Sequence, residues 1–119
     1  MVVREHHADE VSLLFQALAD PTRRDLLRRT LQSGDSVSRL TEAYSMSFAA
    51  VQKHVAVLER AGLVTKERRG REQIVRGNVE TIRRANAVLA DFEALWRGRI
   101  DRIDALLLEE KPKKEREER

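Results

Sequence analysis

The 119-residue sequence contains no cysteine, which excludes disulfide bonds and thiolate metal sites and allows a reducing compartment. It also lacks any apolar run approaching the roughly 18 residues of a membrane-spanning helix, and no signal peptide opens it. We therefore expect a cytoplasmic protein. The length suits one small domain with a modest hydrophobic core.

The sequence also lacks the residue sets that catalysis needs. Its three histidines are His6 and His7, near the start of the chain, and His54. Adjacent histidines near a terminus are usually solvated, and we assign no metal to them. No nucleophile–base–acid set, phosphate loop or metal-ligand spacing occurs. We expect no enzymatic activity, no cofactor and no metal site.

The most informative stretch runs from Asp35 to Val64. Ser36 is a plausible N-cap for a short helix whose apolar residues recur at helical spacing, and Ser47 caps a second helix. One face of the second helix is apolar, at Ala50, Val51, Val55 and Leu58. Gly62 occupies the position where a left-handed residue ends a helix. Two short helices joined by a tight turn form a helix-turn-helix.

The outward face of the second helix predicts DNA binding. Glutamine can pair with the edge of adenine, lysine can donate to guanine, and a serine with the free N–H groups of the first turn can bind phosphate. An ordinary surface helix in a helical bundle is the alternative. The predicted DNA-binding residues here are Ser47, Phe48, Ala49, Gln52, Lys53 and His54.

After Gly62 the period changes to roughly two, which predicts strands over Leu63–Arg68 and Glu72–Arg76 with a turn at Gly70. Between Arg60 and Arg76, six Lys or Arg face two Glu, a net charge of +4. The pI near 9.7 also favours an anionic partner. A cationic hairpin directly after a helix-turn-helix is typical of a winged helix. The alternative is a charged hairpin tip that only keeps the protein soluble. We predict that Arg68, Arg69 and Arg71 reach the minor groove or flanking phosphates.

Two helices precede this motif. The first is predicted from Asp9 to Ala19, after a loose arm at Met1–Ala8. Asp20 and Pro21 then start a helix that ends at Gln32 and buries Leu26, Leu27 and Leu31. Its arginines could touch phosphate, but a solvated face with ion pairs to nearby acids is the favoured interpretation; they are Arg23, Arg24, Arg28 and Arg29.

A long helix is predicted from about Asn78 to Glu110, followed by a charged, disordered tail at 111–119. Apolar residues recur every seven positions along it, at Ile82, Leu89, Trp96 and Ile103. A helix of some 30 residues is about 45 Å long, longer than the core of one small domain needs. We predict a homodimer seam, helped by the first helix, in which Trp96 packs rather than stacks on a ligand. The predicted interface residues are Val11, Leu14, Phe15, Leu89, Phe92, Trp96, Ile100 and Ile103.

Three segments together resemble the ArsR/SmtB family of winged-helix repressors: LADPTRRDLL at Leu18–Leu27, MSFAAVQKHVAVLERAGLV at Met46–Val64, and KERRGRE at Lys66–Glu72. The resemblance covers roughly Val11 to Leu108. It implies a mainly α, winged helix-turn-helix fold with a two-stranded hairpin wing and a C-terminal dimerisation helix within residues 1–110. It also implies a bacterial or archaeal homodimer on double-stranded DNA with an inverted-repeat operator.

The sequence departs from the metal-sensing members of that family. Their thiolate motif lies on the helix that here reads Val37 to Tyr44, which has no cysteine, and their second site uses a histidine of the last helix, which here has none. The chain therefore resembles the non-metal branch. Gating by a small molecule stays open, and so does a dimerisation module without DNA binding. The operator and the inducing signal do not follow from the sequence.

Overall fold

A computed structural model describes the backbone of residues 2–118 and the side chains of residues 9–109. The elements in chain order are α1 (Val2–Leu18), α2 (Pro21–Gln32), β1 (Asp35–Ser36), α3 (Val37–Glu42), α4 (Phe48–Arg60), β2 (Val64–Arg69), β3 (Glu72–Gly77) and α5 (Val79–Glu118). The predicted arm at Met1–Ala8 and the predicted tail at 111–119 lie outside the residues whose side chains are described.

Three predicted helix starts are confirmed by their caps. The side chains of Asp20, Ser36 and Ser47 each accept a hydrogen bond from the backbone N–H three residues on, at 3.0, 3.1 and 3.2 Å. Pro21 follows Asp20 as the first residue of α2, where its missing N–H leaves no bond unmade. These short local signals determine where α2, α3 and α4 begin.

The end of α4 is determined by Gly62, which has a φ of +76°. Its N–H donates to the carbonyl of Glu59, and the N–H of Leu63 reaches back to Leu58, both at 2.9 Å, the pattern that closes a helix through a left-handed residue. The Gly62 carbonyl then accepts a bond from the Thr81 hydroxyl at 2.6 Å. The end of α4 is therefore held to the start of α5.

The sheet has three antiparallel strands in the order β1-β3-β2. β2 and β3 form the predicted hairpin, from Val64 paired with Gly77 to Arg69 paired with Glu72, and Gly70 turns it with a φ of +60°. The prediction of a two-stranded wing is incomplete, because Asp35 and Ser36 add a short edge strand opposite Val75 and Ile74. Two residues are too few to show the alternation that identifies a strand.

The core lies between the helices and the inner face of the sheet. Its buried members are Ala17, Leu26, Leu27, Val37, Leu40, Val51, Val55, Leu58, Leu63, Val64 and Val75. The prediction that Leu31 is buried is wrong, since 43% of it is exposed, and Thr30 takes the inward position at 3%. The Thr30 hydroxyl donates a hydrogen bond to the Leu26 carbonyl at 2.9 Å. Leu31 instead lies against Gly77, where an added Cβ would come within 2.5 Å of its Cδ2.

The chain divides after Ala85 into two units, and the second consists of α5 from Asn86 onwards. Its large apolar side chains are exposed, between 37% for Ile100 and 71% for Leu95. They follow the heptad that the sequence predicts.

No helix among the described residues combines the length and the apolar character needed to cross a membrane.

Candidate nucleic-acid interface

One face of α4 is exposed along its first two turns. Val51, Val55 and Leu58 are buried and attach the helix to the core. The exposed set consists of Ser47, Phe48, Ala49, Gln52 and Lys53. Five of the six residues predicted on this helix are therefore exposed.

The sixth residue, His54, points elsewhere. Its side chain is 23% exposed, and Nδ1 lies 3.9 Å from Oδ2 of Asp20 and 3.5 Å from Nη1 of Arg23. The imidazole therefore contacts the start of α2 rather than the open face of α4. The assignment of His54 to DNA needs this correction, because a helical position between two faces is decided by the neighbouring element, which the sequence does not show.

Two arginines of α2 cap the end of α1. Nε of Arg23 donates to the Ala17 carbonyl at 2.8 Å, and Nη1 of Arg24 donates to the Leu18 carbonyl at 2.7 Å. These bonds satisfy carbonyls that a helix end leaves free. The predicted solvated face with ion pairs is right only for Arg28 and Arg29, which lie 3.4 and 2.9 Å from Asp25.

The wing carries its charge at the tip. Arg68, Arg69 and Arg71 are all exposed around Gly70. At the base of the wing, Nζ of Lys66 lies 3.3 Å from Oε1 of Glu59, in the last turns of α4. This pair, which links the hairpin to the helix, is not predicted by the sequence.

A cleft of about 210 Å³ lies between the exposed face of α4 and the wing. It brings together four predicted residues, Phe48 and Gln52 from the helix and Arg68 and Arg71 from the wing, whereas Lys53 and Arg69 do not line it. The other lining residues are Val37, Ser38, Glu72 and Gln73. Ser38 and Gln73 are not predicted by the sequence, where the only sign of them is a position on an exposed face of α3 or β3.

The turn between α3 and α4 is fastened by Tyr44. Burial raises the pKa of Tyr44 to about 12, and its hydrogen bond to Asp25 acts in the same direction. The pKa of Asp25 is lowered, first by that hydrogen bond and then by the one from Arg29. A half-buried phenol and a charged carboxylate therefore stabilise each other's ordinary protonation state beside the interface.

Comparison with known proteins agrees with this geometry. A helix-turn-helix domain family matches residues 18–67. The uncharacterized HTH-type transcriptional regulator YuzN of Bacillus subtilis is 38% identical, over 59% of this chain and 84% of that protein. The crystal structure of an ArsR family transcriptional regulator matches with a TM-score of 0.72 and 32% identity, covering 76% of this chain and 93% of the other.

The chain belongs to the ArsR family of transcriptional regulators. The HTH-type transcriptional repressor SmtB of Mycobacterium tuberculosis is 35% identical to this ArsR-family chain, over 57% of it and 50% of SmtB. A solution structure from Mycobacterium bovis, described as a homodimeric winged helix-turn-helix DNA-binding domain, shares the fold with a TM-score of 0.64 at 23% identity. It covers 76% of this chain and 84% of the other.

The residues predicted for the dimer interface of this ArsR-family regulator differ in burial. Leu14 is only 6% exposed, so it packs within its own protomer and presents little surface to a partner. Val11 and Phe15 are half-buried. The five on α5 are exposed: Leu89, Phe92, Trp96, Ile100 and Ile103.

Metal ligands do not converge in the described part of the chain. Among residues 9–109, no group of three or more His, Asp or Glu side chains comes close enough to hold a metal ion.

Proposed function

We propose that this ArsR-family regulator is a cytoplasmic, homodimeric repressor, not an enzyme, that binds an inverted-repeat operator. In this proposal residues 1–110 supply both DNA binding and dimerisation. The observation that carries it is the cleft bordered by the exposed face of α4 on one side and the arginines of the wing on the other. Two arginines converge there with uncharged side chains and one carboxylate, that of Glu72, on a surface of the compact unit.

The helix α4 reads bases in the major groove. That groove is about 12 Å wide and admits a helix. Small residues, Ser47 and Ala49, open the first turn and allow close approach, while the unpaired N–H groups of that turn suit a phosphate. Gln52 and Lys53 then supply an amide for adenine and an ammonium for guanine.

The wing binds phosphates or a narrow minor groove. Arg68, Arg69 and Arg71 sit at the exposed tip of a two-stranded hairpin, and arginine suits both targets. The net charge of +4 from Arg60 to Arg76 also attracts the backbone at long range. In this proposal the wing contributes affinity and α4 contributes specificity.

Dimerisation uses the apolar stripe of α5 together with Val11 and Phe15 of α1. Leu89, Phe92 and Trp96 are each more than half exposed, an arrangement that water disfavours and that a second copy would cover. The homodimeric description of the Mycobacterium bovis domain supports this proposal. A two-fold dimer presents two recognition helices and therefore requires an inverted repeat.

Repression in this proposal does not depend on metal. The sequence has no cysteine, and α5 has no histidine, so the thiolates of the family's first metal site and the histidine of its second are missing. The description of SmtB as a repressor supports the role of repressor, and in this proposal the chain is a member of the non-metal branch of the family.

The test is selection of bound DNA. Purified full-length protein is mixed at low salt with fragments of its own genome, and the retained fragments are sequenced. We expect enrichment of an inverted repeat whose half-sites are centred about 10 base pairs, or a multiple of that, apart. Retention no better than that of random duplexes would contradict DNA reading and favour a dimerisation module.

A further inference from the structure

We infer that Phe48 recognises thymine through its 5-methyl group, beside an adenine read by Gln52, so that each operator half-site contains A·T pairs where α4 enters the groove. This inference rests on the proposed function and names the bases that the same face takes. It is carried by the exposure of Phe48, its neighbours and the chemistry of the groove.

Phe48 is an aromatic side chain left in solvent. It is the first residue of α4 and 45% exposed. Within residues 9–85, the other aromatic side chains, Phe15 and Tyr44, are half-buried. The hydroxyl of Tyr44 also donates a hydrogen bond to Asp25. Phe48 is therefore the exposed aromatic group of the described part of the compact unit, and it lies at the tip of the recognition helix.

The core covers only part of this ring. α4 attaches to the core through Val51, Val55 and Leu58, and Phe48 lies at the edge of that apolar face with 45% of its surface exposed. The ring borders the open cleft beside Val37. An apolar surface held in water is unfavourable, and covering it with an apolar group of a ligand would lower the free energy of the complex.

The neighbours of Phe48 define which ligand would cover it. Gln52 lies four residues further along, so the amide and the ring share one face of the helix. Both line the same cleft as Arg68 and Arg71 of the wing. A matching ligand therefore presents an apolar group, a hydrogen-bonding edge and an anionic backbone within a few ångströms.

The major groove offers one apolar group, the methyl of thymine. Guanine, cytosine and adenine present only donors and acceptors there, while adenine adds the N6/N7 pair that glutamine recognises. A phenyl ring next to a glutamine thus matches an A·T step better than a G·C step. Ala49, also exposed, is small enough to leave room for the methyl.

The test removes the methyl and nothing else. Binding sites are first selected by the wild-type protein from a random duplex pool. The best site is then synthesised with uracil in place of each thymine in turn. We expect about a fourfold loss of wild-type affinity for each contacted methyl, and roughly 15-fold when both half-sites are changed.

Three variants locate the effect. Phe48→Ala should bind the thymine and uracil duplexes equally, and Phe48→Leu should keep part of the preference because it keeps an apolar contact. Gln52→Ala is the matched control, which should weaken binding to the selected site but still prefer thymine. Equal wild-type affinity for the two duplexes, or an undiminished preference in Phe48→Ala, would overturn the inference while leaving the proposed function intact. Failure of the wild-type protein to select any duplex would overturn both.

Discussion

The hydroxyl of Tyr44 donates to Oδ2 of Asp25 at 2.5 Å and so ties the turn between α3 and α4 to helix α2. The same carboxylate oxygen accepts a bond from Nε of Arg29 at 2.9 Å, and the Arg29 guanidinium lies 5.6 Å from the centroid of the Tyr44 ring. The recognition helix α4 starts at Phe48, four residues after Tyr44. The Tyr44–Asp25 bond therefore helps to position the start of α4.

Tyr44→Phe should lower the free energy of unfolding by about 1–2 kcal/mol, because a hydrogen bond to a charged group is lost while the ring stays. It should also raise the pKa of Asp25, since that hydrogen bond is the largest cause of its lowered value. Urea unfolding and NMR titration of the carboxyl measure the two effects. An unchanged pKa of Asp25 in the variant would show that the bond does not form in solution.

The pH dependence has a definite sign. The pKa of Asp25 is lower in the folded state than its ordinary value of 3.8, so its stabilisation is present above about pH 4 and is lost as the pH falls through the folded pKa. The pKa of Tyr44 is raised from 10.0 to about 12, so its contribution is complete below pH 10 and disappears towards pH 12. The stability difference between wild type and Tyr44→Phe should therefore shrink at both extremes.

Local signals made much of this fold predictable. The three caps at Asp20, Ser36 and Ser47 and the glycine at position 62 act within four residues of themselves, and all four were predicted correctly. Strand β1 was missed because its pairing partners, Val75 and Ile74, lie some 40 residues away along the chain. Its existence depends on tertiary structure rather than on any local pattern.

The candidate site was predictable where one face decides the exposure. Gln52 and Lys53 lie between the buried positions of α4, and they are exposed as expected. His54 lies between the exposed and the buried face of α4. Its imidazole lies close to Asp20 and Arg23, at the start of α2. Leu14 was predicted to lie in the dimer interface, but it is buried within its own protomer. The helical period identifies an apolar face but does not show which molecule covers it.

His54→Ala should affect stability more than specificity. Its imidazole contacts the start of α2, so truncation should cost about 1 kcal/mol of unfolding free energy. The ratio of affinities for the selected and random duplexes should stay within about twofold of wild type. Gln52→Ala, on the open face, serves as the comparison with the reverse pattern. A collapse of that ratio in His54→Ala would return His54 to the DNA-reading set.

Leu89→Glu combined with Trp96→Glu should prevent dimerisation, because two charges would be buried in the α5 seam. Ala87→Glu with Ala94→Glu is the matched control, since helical geometry places these positions opposite the apolar stripe. Analytical ultracentrifugation at micromolar concentration should find dimers for the wild type and the control, and monomers or unfolded chain for the seam variant. A monomeric wild type would contradict the proposed assembly.

Metal ions should not release the protein from DNA. The absence of cysteine from the chain and of histidine from α5 motivates this prediction. Zinc, cadmium and arsenite are titrated separately into the complex with the selected duplex while fluorescence anisotropy is followed. Constant anisotropy up to several equivalents is the expected result. Release at near-stoichiometric metal that a chelator reverses would place the chain among metal-gated members of the family.

The division of labour between wing and helix is measured most directly by affinity for selected and random duplexes over a salt series. Arg69→Ala with Arg71→Ala should weaken both duplexes together and reduce the salt slope by about one for each lost phosphate contact. Gln52→Ala should cost roughly 1–3 kcal/mol on the selected duplex and little on random DNA, with the slope nearly unchanged. If the wing variant alone loses discrimination while Gln52→Ala keeps it, α4 does not read the bases and the central claim fails.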